Sequence, residues 1–355
     1  MFDYILEKGY NNREILEECV ERVKTMKKIL LIATGGTIAS HSGKEGLIPA
    51  MQAEELLKCV PEVFEICVPS AIQIYNIDST NVTPGHWIKL AETIRENYDQ
   101  YDGFVVCHGT DTMSYTAAML SYMVQHSPKP IVFTGSQQPI DKEDTDGRIN
   151  LRDSFLYATS ENASDVVIVF QGKVIAGTRA KKVRTKSFNA FTSVDFPNLA
   201  VIRDGRIIQY ITKPKAEQPE FYLDLNEKVA LLTLTPGVKG ELLDAYFRLH
   251  DAVVLSGYGT GGIPEGEYYG FYETIEGWER KGKTLVVTTQ VQQEGSDMDV
   301  YRVGRGLKNR FDLLESYSMT YESIITKLMW VLAQTKEDDE VRKLFYREIN
   351  YDLIG

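Results

Sequence analysis

The sequence predicts an α/β protein of two domains, and three observations carry that prediction. Short, almost wholly apolar runs alternate with segments of helical periodicity. Several of those runs end in glycine beside a hydroxyl residue. The chain, at 355 residues, is also long enough for two cores. A continuous apolar run of about four to eight residues is how a strand covered on both faces reads, and βα alternation supplies the covering helices.

The elements follow in order. Residues 12–26 place Ile15, Leu16, Cys19, Val20 and Val23 on one stripe, which predicts a helix laid against the body of the protein. From Lys28 the pattern changes to strands: Ile29–Ala33, ending in Thr34-Gly35-Gly36, and then Ala71–Ile77. His86–Gln100 carries Trp87, Leu90, Ala91, Ile94 and Tyr98 at helical spacing, and Asp102-Gly103 turns into a strand at Phe104–Cys107. A helix over 112–125, a strand at Ile131–Thr134, a helix over 150–159 and a strand at Val166–Phe170 complete the first set.

Residues 206–228 lack helical periodicity and carry two prolines among many charges, so they read as a linker. A smaller alternation follows, with strands at Val229–Leu234, Ala252–Leu255 and Thr284–Thr289 and helices over 241–249, 269–281, 322–333 and 338–347. The expected division is a helical extension at 1–27, a catalytic α/β domain at 28–205, the linker at 206–228 and a second α/β domain at 229–355.

Composition narrows the function. The 50 acidic against 39 basic residues give a net charge of −11, which disfavours a polyphosphate partner and leaves a small zwitterion compatible. No apolar run reaches about 18 residues, so no membrane partner is expected. The first 27 residues mix both charge signs without a secretory core, which makes the cytoplasm the expected compartment. Four cysteines without C-x-x-C spacing read as free buried thiols, and five scattered histidines offer no zinc pattern. No metal or organic cofactor is expected.

Three strand ends share one chemistry: Thr34-Gly35-Gly36-Thr37, His108-Gly109-Thr110-Asp111-Thr112 and Thr134-Gly135-Ser136. Each one taken alone reads as a turn or a helix cap. Three at one sheet edge converge on one crevice, where α/β proteins bind ligands. A hydroxyl nucleophile there needs a base; no Ser–His–Asp arrangement is visible, and a lysine is the alternative.

TGGTIAS (Thr34–Ser40) and DGFVVCHGTDTMSYTA (Asp102–Ala117) resemble the two signatures of the bacterial-type L-asparaginases, and the likeness is greatest to the cytoplasmic type I branch. NIDSTNVTP (Asn76–Pro84), IVFTGSQQPI (Ile131–Ile140), VIAGTRAKKVRTKSF (Val174–Phe188) and LSGYGTGG (Leu255–Gly262) fall in the family's order. The resemblance spans about residues 28–335. The architecture expected with it is a larger N-terminal flavodoxin-like parallel sheet and a smaller C-terminal Rossmann-like α/β domain.

That resemblance implies hydrolysis of L-asparagine to L-aspartate and ammonia, with glutamine as a minor substrate. Thr37 is implied as the nucleophile that forms a β-aspartyl ester. Thr110, Asp111 and Lys182 are implied as a relay in which neutral Lys182 draws a proton through the Thr110 hydroxyl. Asp111 would hold the substrate α-ammonium and Ser79 its α-carboxylate, with Asp78 or Thr80 assisting. Gly36 and Gly109 line the same site. The family forms homodimers and homotetramers.

One departure stands out: Leu47 occupies the place of a loop tyrosine that assists the nucleophile in many members, and no tyrosine lies between Lys28 and Ile74. That departure is the one feature favouring a catalytically weak amino-acid-binding protein. A further alternative is the asparaginase-like subunit of a tRNA-dependent amidotransferase, which shares the signatures. The acidic balance and the 27 residues before Lys28 weigh against it.

Two motifs are weighed and set aside. Gly257-Tyr-Gly259-Thr-Gly261-Gly262 matches the dinucleotide fingerprint, but Pro264 follows where a helix should start. Asp144-Thr-Asp146-Gly147 resembles part of a calcium loop, but Lys142 and Asp153 fill its outer ligand positions, so it reads as a solvated loop.

Overall fold

The computed structural model describes residues 23–43, 46–49 and 51–354. The predicted N-terminal helix lies outside them except for 23–25, which are helical. The first strand, β1 (Lys28–Gly35), is fully buried after Lys28, as its unbroken apolar run requires. A hairpin, β2 (Ser40–Gly43) and β3 (Gly46–Pro49), follows it and pairs Ser42 with Leu47. Short helices α1 (Ala53–Lys58) and α2 (Val63–Ile66) lead into β4 (Val68–Ile77), an edge strand that is half-buried throughout.

Helix α3 (Pro84–Asn97) starts at a capping box between Thr83 and His86, with proline at its first position. Then come β5 (Gly103–Cys107), α4 (Met113–Met123), the two-residue β6 (Val124–Gln125), β7 (Ile131–Thr134), α5 (Gly147–Ala158) and β8 (Val166–Phe170). Strands β4, β1, β5, β7 and β8 lie parallel in that spatial order. Numbered along the chain this is the doubly wound order 2-1-3-4-5, the expected flavodoxin-like arrangement.

The sheet then turns antiparallel, which the sequence reading did not foresee. β9 (Lys173–Ala176) pairs with β8, and β12 (Ala200–Arg203) and β13 (Arg206–Gln209) extend the edge to eight strands. Between them, β10 (Ala180–Lys182) and β11 (Phe191–Ser193) form a separate two-stranded ribbon. The segment read as a linker is therefore only partly irregular. Arg206–Gln209 alternates exposed and half-buried residues on the sheet edge, and β14 (Glu220–Phe221) pairs with β6.

The second sheet holds four parallel strands in sequential order: β15 (Val229–Thr233), β16 (Ala252–Gly257), β17 (Thr284–Thr289) and β18 (Leu314–Glu315). Helices α6 (Gly240–Leu249) and α7 (Phe271–Glu279) close a core on one face, built on Leu243, Phe247, Phe271 and Ile275. Helix α8 (Arg302–Arg310), absent from the sequence reading, adds Leu307 to the same core. Helix α9 (Tyr321–Gln334) covers the other face, and α10 (Asp338–Phe345) packs beside it.

Helices α4 and α9 join the two sheets. Ten of the eleven residues of α4 are buried, and α9 is buried from Glu322 to Leu332 except for Ile325. A helix without a solvent face has protein on all sides. One apolar cluster accordingly runs from Leu30 and Phe104 through Met119 and Tyr122 to Trp330, Val254 and Val286. Inside it Lys327 and Asp352, both wholly buried, pair at 2.6 Å, and the Tyr122 hydroxyl donates to the same carboxylate at 3.0 Å.

Removing one partner of such a pair strands the other charge. Lys327→Met is expected to lower stability by about 3–5 kcal/mol, read as a lower urea midpoint. Lys327→Met combined with Asp352→Leu is expected to recover most of that loss.

Candidate active site

At the carboxyl edge of the larger sheet the strand ends touch backbone to backbone. After β1, Gly36 takes φ +84°, and a Cβ on it would fall 2.4 Å from the N and Cα of Gly109. Gly109 follows β5, and a Cβ there would sit 2.6 Å from the Cβ and Oγ of Ser79. Only glycine allows either approach. The next residues along the two loops are Thr37 and Thr110, so these contacts set the two threonines on adjoining turns.

Thr37 is half-buried and opens a 3₁₀ turn over Thr37–Ala39. The Ala39 N–H and the Ser40 hydroxyl both donate to the Gly36 carbonyl, at 3.2 and 2.9 Å. Ser79 is buried, and its carbonyl accepts the Thr112 hydroxyl at 2.8 Å, which ties the loop after β4 to the loop after β5. Asp78 and Thr80 are exposed and bond to each other: one Asp78 oxygen accepts both the N–H and the hydroxyl of Thr80, each at 2.8 Å. They cap the turn that presents Ser79.

Lys182 arrives from the β10–β11 ribbon. Its Nζ donates to Thr110 Oγ1 at 2.7 Å and to Asp111 Oδ1 at 2.7 Å. The lysine side chain is 16% exposed and the aspartate 57%, so the pair is sealed at one end and open to solvent at the other. The structure thus brings together Lys182, Thr110 and Asp111, and seats Ser79 against the same loop.

Two supporting residues were not assigned to the site from the sequence. The Thr110 hydroxyl donates to Gln137 Oε1 at 3.2 Å, and Gln137 Nε2 donates to the Ser187 carbonyl at 3.3 Å, which fixes which end of the amide faces Thr110. The Asp146 carboxylate accepts the backbone N–H groups of Gln137 and Gln138 and the Asn150 side-chain amide. Asp146 is therefore a buried anchor for the loop after β7, which corrects the solvated-loop reading; burial pushes its carboxyl up against those hydrogen bonds. Asp144 is exposed, as are Asp141, Lys142 and Glu143 before it. The signal was TGSQQP itself, a third strand end with polar side chains directly behind the glycine.

His108 points inward and is buried. Its Nδ1 lies 2.7 Å from the Gly109 carbonyl, which can only accept, so Nδ1 carries the proton. Nε2 then accepts from the Thr116 hydroxyl at 3.0 Å, and Thr116 accepts from the Trp87 indole at 3.0 Å. Each group in this chain is satisfied with a neutral ring. Burial pushes the imidazole down to about 4, opposed by the Gly109 contact.

Among the described residues, no cluster of three or more His, Cys, Asp or Glu side chains could hold a metal ion, and no helix is long and apolar enough to cross a membrane. Cys59, Cys67 and Cys107 are free; Cys67 and Cys107 are buried and Cys59 half-buried, so the expectation of buried thiols holds for two of the three. The Gly257–Gly262 segment closes a turn through a Tyr258–Gly262 bridge, and the next helix begins only at Phe271. No helix N-terminus stands there to receive a pyrophosphate.

Two family models match the chain: the N-terminal asparaginase model over residues 28–215, and the glutaminase/asparaginase C-terminal domain over residues 228–345. The chain belongs to the asparaginase family. It is 35% identical over 332 residues to an L-asparaginase of Thermococcus kodakarensis, covering 92% of this chain and 99% of that one. The solved structure of the thermostable L-asparaginase from that organism superposes with a TM-score of 0.86 at 34% identity, over 92% of this chain and 99% of the other. A structure described as a probable cytoplasmic L-asparaginase from Campylobacter jejuni gives 0.78 at 26% identity, over 91% and 100%. A glutamyl-tRNA(Gln) amidotransferase subunit of Pyrococcus abyssi is 34% identical over 356 residues, covering 96% of this chain and 80% of that protein.

The buried imidazole of this asparaginase-family chain makes a pH prediction. Unfolded His108 takes up a proton below its ordinary 6.5, whereas folded His108 does so only near 4. Stability linked to this ring is complete above pH 6.5 and drains as pH falls toward 4, by at most about 3 kcal/mol. His108→Gln is expected to be less stable than the wild type at pH 7.5. It is also expected to lose less stability between pH 7 and pH 4.5, measured by urea unfolding.

Proposed function

We propose that the protein hydrolyses L-asparagine to L-aspartate and ammonia through a threonyl ester on Thr37. The observation that carries this reading is the Lys182 amine within 2.7 Å of both Thr110 Oγ1 and Asp111 Oδ1, on a loop packed against the one that bears Thr37. In the reaction Thr37 Oγ attacks the side-chain amide carbon and loses its proton. The C–N bond then breaks, ammonia leaves with that proton, and an ester remains. Water attacks the ester, aspartate departs and the Thr37 hydroxyl is restored.

Lys182 in its neutral form serves as the proton acceptor, reached through Thr110. For that step the Thr110 hydroxyl proton turns from Gln137 Oε1 to the lysine nitrogen. Backbone N–H groups around Thr110 stabilise the tetrahedral oxyanion, a role worth about 3–4 kcal/mol per donor. The open end of Asp111 receives the substrate α-ammonium, and Ser79 takes the α-carboxylate. Because Asp78 and Thr80 are bonded to each other, their role is to hold Ser79.

The ammonia-release assay tests this reading. Wild type is expected to release ammonia from asparagine, and slowly from glutamine, while Thr37→Ala and Lys182→Met each lose about 10³-fold or more in kcat. Full activity in Thr37→Ala, or an inert wild type, overturns it. The likeness to the Pyrococcus abyssi amidotransferase component favours a second reading, in which the same chemistry feeds ammonia to a partner enzyme. A wild type that releases ammonia freely without any partner decides for the first.

The two family matches, over 28–215 and 228–345, support a division into a catalytic domain and a second α/β domain, with Arg206–Gln209 belonging to the first and the join falling after it. We also assign the protein to the cytoplasm, supported by the Campylobacter jejuni likeness and checked by cell fractionation. A homodimer or homotetramer is supported by the family resemblance alone. Sedimentation at micromolar concentration is expected to return that assembly, and a monomer overturns it.

A further inference from the structure

The lysine that completes the site stands on a weak support. Strand β10 is three residues long, pairs only with β11, and belongs to neither large sheet. An isolated two-stranded ribbon is marginally stable on its own. Something outside the ribbon therefore fixes Lys182 at 2.7 Å from Thr110 and Asp111.

The two residues just before β10 are bound to distant parts of the chain. Arg179 is wholly buried. Its Nε donates to the Tyr351 carbonyl, and Nη1 donates to the Ser318 carbonyl at 2.7 Å and to Ser318 Oγ at 3.3 Å. The guanidinium lies 5.7 Å from the Phe196 ring, which stacks on Tyr351 at 4.9 Å. Thr178 donates to the Asn350 carbonyl, and its own carbonyl accepts the hydroxyls of Thr320 and Ser323 at the start of α9. The Arg179 carbonyl accepts the Val194 N–H at 2.9 Å, which ties the far end of β11 to the same point.

No carboxylate hydrogen-bonds this guanidinium, and its Nη2 is buried without a partner among the described residues. A buried charge satisfied by carbonyls is a poor way to stabilise a fold. It is an effective way to fix geometry, because the planar fork binds two distant segments in set directions.

We infer that Arg179 is a positioning residue for the reaction: with Thr178, it clamps the β10–β11 ribbon to the Ser318 loop and to residues 350–351, and so sets where the Lys182 amine lies. The inference rests on the reading of Lys182 as proton acceptor. Misplacing a catalytic group by about 1 Å costs on the order of 10²-fold in rate. Because Arg179 touches neither substrate nor Thr37, its loss acts on kcat and leaves substrate affinity in place.

The test is steady-state kinetics on asparagine for Arg179→Met, Arg179→Lys, Thr178→Val and Lys182→Met, with the folded fraction of each measured by circular dichroism. Phe247→Leu, in the core beneath α6, serves as a control for destabilisation alone. Arg179→Met is expected to lose about 10- to 100-fold in kcat, with KM within about threefold. Arg179→Lys is expected to recover part of that loss, and Phe247→Leu to keep its kcat. Thr178→Val, which removes one hydroxyl without changing shape, is expected to lose about three- to tenfold, and it carries the test if Arg179→Met does not fold.

A kcat within about twofold of wild type in Arg179→Met and Thr178→Val, beside an inactive Lys182→Met, overturns the clamp alone. So does an equal kcat loss in Phe247→Leu. A fully active Lys182→Met overturns the reading of the site, and the clamp with it.

Discussion

The closeness of two backbone turns governs the rest of this molecule. Gly36 and Gly109 approach to a distance that excludes any Cβ, and Gly109 in turn presses on Ser79. Parallel pairing puts the loops after β1, β4 and β5 at one edge, because β1 lies between the other two with Ala33 opposite both Gln73 and Cys107. The glycines then convert neighbouring loops into touching ones. From that contact follow the adjoining threonines, the seating of Ser79 and the short reach required of Lys182.

Two kinds of support meet at the site. The threonine turns stand on a parallel sheet whose strands β1, β5, β7 and β8 are buried apolar runs, so their positions carry the rigidity of a packed sheet. The lysine stands on a ribbon held by hydrogen bonds to loops and to α9. Helices α4 and α9, buried on nearly every side, lock these two supports into one body. Polar chemistry at the edge is thus set by apolar packing in the middle.

How much of this could be read in the sequence depended on how local the cause was. Ile131–Thr134, Val166–Phe170 and Thr284–Thr289 match the structure residue for residue, since a strand buried on both faces announces itself by composition. The antiparallel strands β9 to β13 were missed because they are short and mixed in polarity; Ala180-Lys-Lys182 has no strand signature at all. Helix α8, with two glycines in nine residues, hides its single buried leucine among charges. Thr37, Thr110 and Asp111 stood in recognisable strand-end motifs, whereas Lys182 was reached only through family resemblance. Gln137 and Asp146 matter through partners dozens of positions away or through burial, neither of which a local pattern encodes. Asp146 was misread for that reason: its carboxylate looks solvated until the Gln137 and Gln138 amides fold over it.

The contacts around residues 350–352 carry a consequence for biogenesis. Thr178 and Arg179 bond to carbonyls 172 positions later in the chain, and Tyr122 bonds to Asp352 across 230. On a ribosome the strands preceding Thr37 and Thr110 emerge first and can pair before the ribbon is made, since β1, β4 and β5 all lie within residues 28–107. The ribbon carrying Lys182 has to wait for residues 350 and 351, which lie 172 positions after Thr178 and Arg179. A nascent chain thus orders the Thr37 and Thr110 turns early and places Lys182 late, and the sheet edge matures before the ribbon that meets it.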